Sequence, residues 1–347
     1  MSALSGDDEA CLRKLVAQYF QLVEPRDLCV PPADAIVNPA VQAAIYERMF
    51  NQDALWPIPP ASYRARVLKM ILSRIEESIS NPEEDEILDD LMSCWSELVA
   101  QPKPSALEEA QRLSYIKYTA PHSGAGQECR TVITSESRGL ILSSGTTGFR
   151  TWEAALHLGT FLSTLEGEAL VRGKRVIELG AGTGFLSMFC AKHLGVESIV
   201  VTDREPSLIS GIQDCVARNQ LDPGRIKPAL WEWGNPLDDS QFGDIESGRP
   251  RQFDVALGAD LIYDTDLVPL LLSTLRDLFE NYRIQEFLIS ATLRNRDTFQ
   301  AFLDACEANH LQAQCIPFES PPSETQTGFF HSTNIPIRTY RISRPSS

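Results

Sequence analysis

Positive charge is scarce in this 347-residue chain: 31 Lys and Arg stand against 47 Asp and Glu, for a net charge of −16. Nucleic-acid binding draws on clustered basic side chains, so no nucleic-acid partner is expected. An acidic field attracts a basic target such as a lysine-bearing protein surface, although solubility alone also accounts for it. No Cys-x-x-Cys pair occurs among the 8 cysteines, which are scattered from Cys11 to Cys315, and the 5 histidines are equally dispersed. A reducing compartment is implied, with no structural zinc and no metal site. No apolar run reaches the ~18 residues needed to span a bilayer. Residues Met1 to Glu9 lack the basic and apolar regions of a signal peptide. A soluble, cytoplasmic protein without a membrane partner is the expectation, with a monomer as the default.

Hydrophobic residues make up 43% of the chain, enough for a substantial core. The length suits two domains at roughly 100–200 residues each. The first hundred residues read as helical, since Leu12, Leu15, Tyr19 and Phe20 recur at helical spacing, as do Tyr63, Val67, Leu68, Ile71 and Ile75. A third stripe runs through Ile87, Leu88, Leu91, Met92, Trp95 and Leu98, with a helix start at Asn81-Pro82-Glu83-Glu84. Gln101-Pro102-Lys103-Pro104 interrupts the pattern, so the expected division is 1–104, a region for substrate docking or for covering a sheet, and 105–347.

In the second part, residues 128–133 and 139–142 look like a β-hairpin and 151–164 like a helix. Strands are then expected at 175–179, 198–202, 226–230, 253–257, 286–292, 311–317 and 335–343, and helices at 185–194, 206–219, 266–280 and 296–309. Such alternation predicts an α/β fold with a mostly parallel sheet covered on both faces. No helix separates the last two strands, which predicts an antiparallel hairpin at the sheet edge. The segments 238–252 and 321–333 read as polar, mobile loops.

The most specific signal is Arg175-Val-Ile-Glu-Leu-Gly-Ala-Gly-Thr-Gly184, where an apolar strand runs into a glycine turn before a helix. Glycine is required where the backbone turns with positive φ or lies against a ligand. The sixth position of a G-x-G-x-x-G dinucleotide fingerprint is here Phe185, and no Gly-Lys-Ser/Thr follows, so neither a dinucleotide motif nor a P-loop fits. Glu178 just before the turn would repel a pyrophosphate but suit an ammonium or sulfonium. Asp203, at the end of the next strand, could accept both hydroxyls of a ribose. The pattern E-x-G-x-G-x-G with a downstream acid resembles the S-adenosylmethionine site of seven-stranded methyltransferases.

Four segments sharpen that likeness: Ser144-Gly-Thr-Thr-Gly-Phe-Arg-Thr-Trp-Glu-Ala-Ala-Leu156, Val176 to Gly184, Ala259-Asp-Leu-Ile-Tyr263 and Leu293-Arg-Asn-Arg-Asp-Thr-Phe299. With them the whole chain resembles the lysine methyltransferases that modify eukaryotic translation elongation factor 2, a branch of the seven-stranded, Rossmann-like protein methyltransferases. The resemblance implies S-adenosylmethionine as cofactor and elongation factor 2 as protein substrate. It also implies that Trp152 lines the cofactor pocket. Gly180, Ala181 and Gly182 would admit the methionine part, Asp203 would hold the ribose, and Ala259 would touch the cofactor through its backbone. Trp233, followed by Gly234, suits the adenine face better than Trp231, though Trp231 stays open.

Asp260 and Tyr263 would face the incoming amine at the carboxyl end of their strand, where open α/β sheets bind ligands. The alternative is that Asp260 caps the following helix and Tyr263 only packs. The chemistry implied is in-line attack of a lysine amine on a sulfonium methyl, governed by alignment. Asp260 would position the amine, and Tyr263 would contact it by hydrogen bond or ring face. A small-molecule methyltransferase on the same fold and a non-catalytic cofactor-binding module are the rival readings.

Overall fold

The computed structural model describes residues 4–81, 85–102, 104–121, 129–137, 146–242 and 251–345. The chain forms two compact units, Met1–Thr119 and Ala120–Ser347.

The first unit is helical, with α1 (Gly6–Phe20), α2 (Ala33–Ile36), α3 (Pro39–Ile45), α4 (Ala61–Ser78), α5 (Asp89–Ala100) and α6 (Ala106–Gln111), closed by strand β1 (Ser114–Thr119). The apolar stripes of the sequence become its core: Leu12, Leu15 and Tyr19 of α1 and Val67, Leu68, Ile71 and Ile75 of α4 are buried in one cluster. Buried Gln42 bridges separate segments, donating to Glu86 O at 3.0 Å and accepting from Leu88 N at 2.9 Å. α5 begins at Asp89; residues 82–84 of the expected helix start lie outside the described residues. The Gln101–Pro104 interruption ends α5, and α6 restarts with a capping box between Ser105 and Glu108.

The second unit opens with β2 (Thr131–Glu136), followed by α7 (Glu153–Leu162) and α8 (Leu165–Val171). Next come β3 (Arg175–Leu179), α9 (Phe185–His193), β4 (Ser198–Asp203), α10 (Pro206–Arg218), β5 (Ile226–Leu230) and β6 (Val255–Ala259). The unit ends with α11 (Val268–Glu280), β7 (Glu286–Thr292), α12 (Arg296–Ala308), β8 (Gln312–Ile316) and β9 (Ile337–Ser343). Of the expected hairpin, 131–133 fall in β2, which continues to Glu136, while 128 and 139–142 lie outside the described residues.

Seven strands form one sheet in the order β5-β4-β3-β6-β7-β9-β8. β5 to β7 pair in parallel, and β9 runs antiparallel to both β7 and β8, as the missing helix predicts. Strands buried on both faces need continuous apolar runs rather than alternation, and Val176, Ile177, Val200, Val201, Ala256 and Leu257 supply them. The Arg175 guanidinium grips Asp254 from Nε at 3.1 Å and Nη2 at 2.8 Å, fixing the register where β3 and β6 begin.

Residues 321–333 are not a free loop. Phe329 is fully buried and meets Phe185 and Phe189 of α9 edge-on, at 4.9 and 5.0 Å between ring centroids. Gln326 is also buried; its side chain accepts from His331 N at 2.8 Å and donates to His331 O at 3.1 Å. Polar composition misled the sequence reading because these polar groups satisfy one another while the phenylalanines anchor the segment.

Candidate active site

The strand order reverses direction at β3, where β4 lies on one side and β6 on the other. Ligands of open α/β sheets bind outside the carboxyl ends of strands at such a switch point. A cavity of about 350 Å³ opens there, within the range of small-ligand sites. Its lining includes Trp152, Glu178, Gly180, Ala181, Gly182, Asp203, Trp233, Ala259, Asp260 and Tyr263, so every residue singled out in the sequence reaches one pocket.

The floor is the turn between β3 and α9. Gly180 and Gly182 have φ of 58° and 55°, a region costly for residues with a Cβ. A Cβ on Gly180 would lie 2.8 Å from Leu261 Cδ2 and 3.3 Å from the Trp233 ring, and one on Gly182 would sit 3.0 Å from Gly148 O. A side chain at either position would collide with these neighbours, so the turn packs this closely only because both residues are glycine. Ala181 N donates to Thr202 O at 2.9 Å, and the Gly182 amide donates to Asp203 Oδ2 at 2.9 Å, so the ends of β3 and β4 are fixed together.

Asp203 is buried, and its Oδ1 accepts from Glu205 N at 3.1 Å. Burial raises its pKa, while the amides of Gly182, Glu205 and Arg204 pull it back. The carboxylate still has acceptor capacity left for a hydroxyl. Glu178 turns toward α9, where Oε2 accepts from both Ser187 N, at 3.0 Å, and Ser187 Oγ. Burial pushes its pKa up to about 8 against those hydrogen bonds, which favours the protonated form over the free anion its sequence position suggested.

Trp231 and Trp233 have distinct settings. Trp231 is buried and donates from Nε1 to Asn235 O at 2.9 Å, yet it borders the cavity as Trp233 does. Trp233, half-buried, lies against Gly180. On the opposite wall, Trp152 sits at the N-cap of α7 and donates from its indole to Thr147 O at 3.1 Å. The neighbouring Thr151 hydroxyl reaches Thr183 Oγ1 at 2.7 Å, tying the segment before α7 to the glycine turn.

Asp260 follows β6 in a left-handed conformation, with φ 51°. A non-glycine residue held there by its surroundings is a common mark of a functional position. Its carboxylate does not cap a helix; Asp264 caps the next helical turn. Instead Oδ1 accepts from Thr292 N at 2.7 Å, and Oδ2 from Thr292 Oγ1 at 3.1 Å and Arg294 Nη1 at 3.2 Å. Burial raises the Asp260 pKa, and these partners oppose it. Tyr263 stands at the rim, 64% exposed.

Arg150 and Arg294 line the mouth with Glu153 as their shared partner, and none of the three was assigned a role from the sequence. Arg294 Nη2 donates to Glu153 Oε2 at 2.6 Å, and both guanidinium groups lie over the Trp152 ring, Arg150 at 5.0 Å and Arg294 at 5.2 Å. Their position within the family-like segments around Trp152 and Asn295 was the available signal.

The pocket suits S-adenosylmethionine on its own chemistry. A tight glycine turn forms its floor, a buried carboxylate at the end of β4 suits a ribose, and an indole lines the wall beside the turn. Among the described residues, no group of three or more His, Cys, Asp or Glu is placed to hold a metal. No helix among them is long and apolar enough to cross a membrane.

Comparison with known proteins agrees with this geometry. Residues 142–309 match the lysine methyltransferase family. The protein-lysine N-methyltransferase EFM3 of Chaetomium thermophilum is 40% identical over 94% of this chain and 96% of its own. EEF1A lysine methyltransferase 3 of Mus musculus is 38% identical over 37% of this chain and 50% of its own. The protein-lysine N-methyltransferase EEF2KMT of Homo sapiens is 27% identical over 70% of each chain.

Proposed function

The chain belongs to the protein-lysine N-methyltransferase family and uses S-adenosylmethionine, and from that premise we propose that it methylates a lysine of translation elongation factor 2. The observation that carries a lysine substrate is the placement of Asp260 and Tyr263 at the mouth of the pocket whose floor is the glycine turn. Two features favour elongation factor 2. The relative whose name contains EEF2 matches 70% of this chain, against 37% for the one named for EEF1A. The Arg294-Asn295 segment after β7 also resembles that branch.

S-adenosylmethionine supplies an activated methyl group on a sulfonium. The chain's own residues bind and align. Gly180, Ala181 and Gly182 would let the backbone approach the methionine part, Asp203 would hold the ribose, and Trp233 would lie against the adenine. Trp152 and the backbone of Ala259 close the sides. Glu178, hydrogen-bonded to Ser187, stiffens the turn from beneath. Asp260, fixed by Thr292, orients the substrate nitrogen, and Tyr263 contacts it from the rim. Alignment of this kind can contribute up to about 7–11 kcal/mol to lowering a barrier. The proton leaves the amine to solvent.

The test is incubation of the purified protein with radiolabelled S-adenosylmethionine and a lysate from cells lacking its gene. A labelled band at the mass of elongation factor 2, lost in Asp260→Asn, is the expected result. A band at the mass of elongation factor 1A would move the target. No labelled protein at all, with cofactor binding intact, would sink the protein-substrate reading.

A further inference from the structure

Asp260 creates an electrostatic difficulty at the mouth. Lysine attacks only as the free amine, and an uncompensated carboxylate beside it favours the ammonium. The structure compensates that charge. Arg294 Nη1 lies 3.2 Å from Asp260 Oδ2, its Nη2 lies 2.6 Å from Glu153 Oε2, and Arg150 lies 3.5 Å from Glu153 Oε1. Two guanidinium groups and two carboxylates therefore sum to zero around Trp152. Thr292, the other partner of Asp260, is neutral, so Arg294 supplies the countercharge.

The remaining ionisable groups along the pocket do not replace it. Glu178 and Asp203 belong to the glycine-turn end, where both are buried acids. Arg204 and Glu232, on the β4–β5 side, cancel each other in sign. Tyr263 adds a ring and a hydroxyl at the rim. Removing Arg294 alone leaves one net negative charge where the amine arrives.

We propose that Arg294 is a positioning residue that neutralises Asp260, so that Asp260 orients the target lysine without holding it as the ammonium ion. The inference rests on the lysine-methylation reading above. The Arg294 side chain is 43% exposed, so substitution should leave folding intact. Arg294→Met keeps an aliphatic stem over Trp152 without the charge; Arg294→Lys keeps the charge.

The experiment measures kcat from pH 6.5 to 10 at saturating cofactor, on whichever protein the wild type labels, with cofactor affinity measured by calorimetry. In Arg294→Met the acid limb should move up by about one pH unit, lowering the rate at pH 7 about tenfold, and the curves should converge at high pH. Arg294→Lys should keep the wild-type limb. Asp260→Asn/Arg294→Met, which removes both charges, should restore the position of the limb at a lower maximum. An equal loss at every pH would mark Arg294 as merely structural and overturn the inference, as would an unchanged profile. Failure of the wild type to label any lysine overturns the underlying reading first, and this inference with it.

Discussion

The Gly182 amide donates to Asp203 Oδ2 over 2.9 Å, joining the turn that ends β3 to the residue that ends β4. One hydrogen bond thus sets the distance between the floor of the pocket and its carboxylate. Gly182→Ala would place a Cβ 3.0 Å from Gly148 O at a φ of 55°, a backbone region that costs alanine about 1–2 kcal/mol. Calorimetry should show cofactor affinity reduced at least about tenfold, with a melting temperature lower by a few degrees. Unchanged affinity would mean that the floor does not contact the cofactor.

Asp260→Asn separates charge from shape. Asparagine tolerates positive φ and keeps an oxygen to accept from Thr292 N, now at 2.7 Å, so the fold should survive. Turnover should fall at least about tenfold while cofactor affinity stays within twofold, because orientation of the amine is lost and the glycine turn is untouched. Full turnover with normal affinity would remove Asp260 from the mechanism.

Phe329→Ala probes the segment between β8 and β9. Its ring is fully buried and meets Phe185 and Phe189 edge-on, both on the helix that follows the glycine turn. Deleting a buried phenylalanine ring costs about 3–5 kcal/mol. Denaturant unfolding should report a loss of that size, and residues 321–333 should become sensitive to protease. A loss below about 1 kcal/mol would show that the segment does not depend on this anchor.

The fold could be read from the sequence because its determinants are local. β3, β5 and β7 appear at the predicted residues; β3 and β7 are short, mostly buried apolar runs bounded by turns, whereas β5 is a half-buried edge strand. Short elements were missed: α8 packs its start closely on α7, where a Cβ on Gly167 would lie 2.2 Å from Phe161 O, and nothing in seven residues reveals that. The charge network at the mouth was illegible for a related reason. Glu153 and Arg294 are 141 positions apart and meet only because α7 and the end of β7 share one rim of the sheet. Glu178 was recognised as part of the glycine turn, but its bond to Ser187 depends on where α9 docks. Motifs drew attention to residues that line one cavity; their partners required the tertiary structure.

His157, on α7, gives the folded state a pH dependence of defined sign. The ring is buried, its Nδ1 lies 2.8 Å from Ser320 Oγ, and its Nε2 finds no hydrogen-bond partner among the described residues. Burial, reinforced by the nearby His331 and Arg338, pushes its pKa down to about 3 from 6.5. Between those values the unfolded chain binds the proton and the folded one does not. Stability is therefore fully present above pH 6.5 and declines as pH falls toward 3, by up to about 1.4 kcal/mol per pH unit. Glu178, with its pKa raised to about 8, acts in the opposite direction, its contribution fading as pH rises from 4.5. The wild-type curve alone thus cannot isolate the histidine, whereas the difference from His157→Asn can. Asparagine keeps a polar atom near the Nδ1 position and does not titrate, so any cavity cost is independent of pH. Urea unfolding of both proteins at pH 5, 6 and 7.5 should show the wild type losing more stability than the variant on acidification. Parallel losses would mean that His157 becomes protonated in the folded state as readily as in the unfolded one.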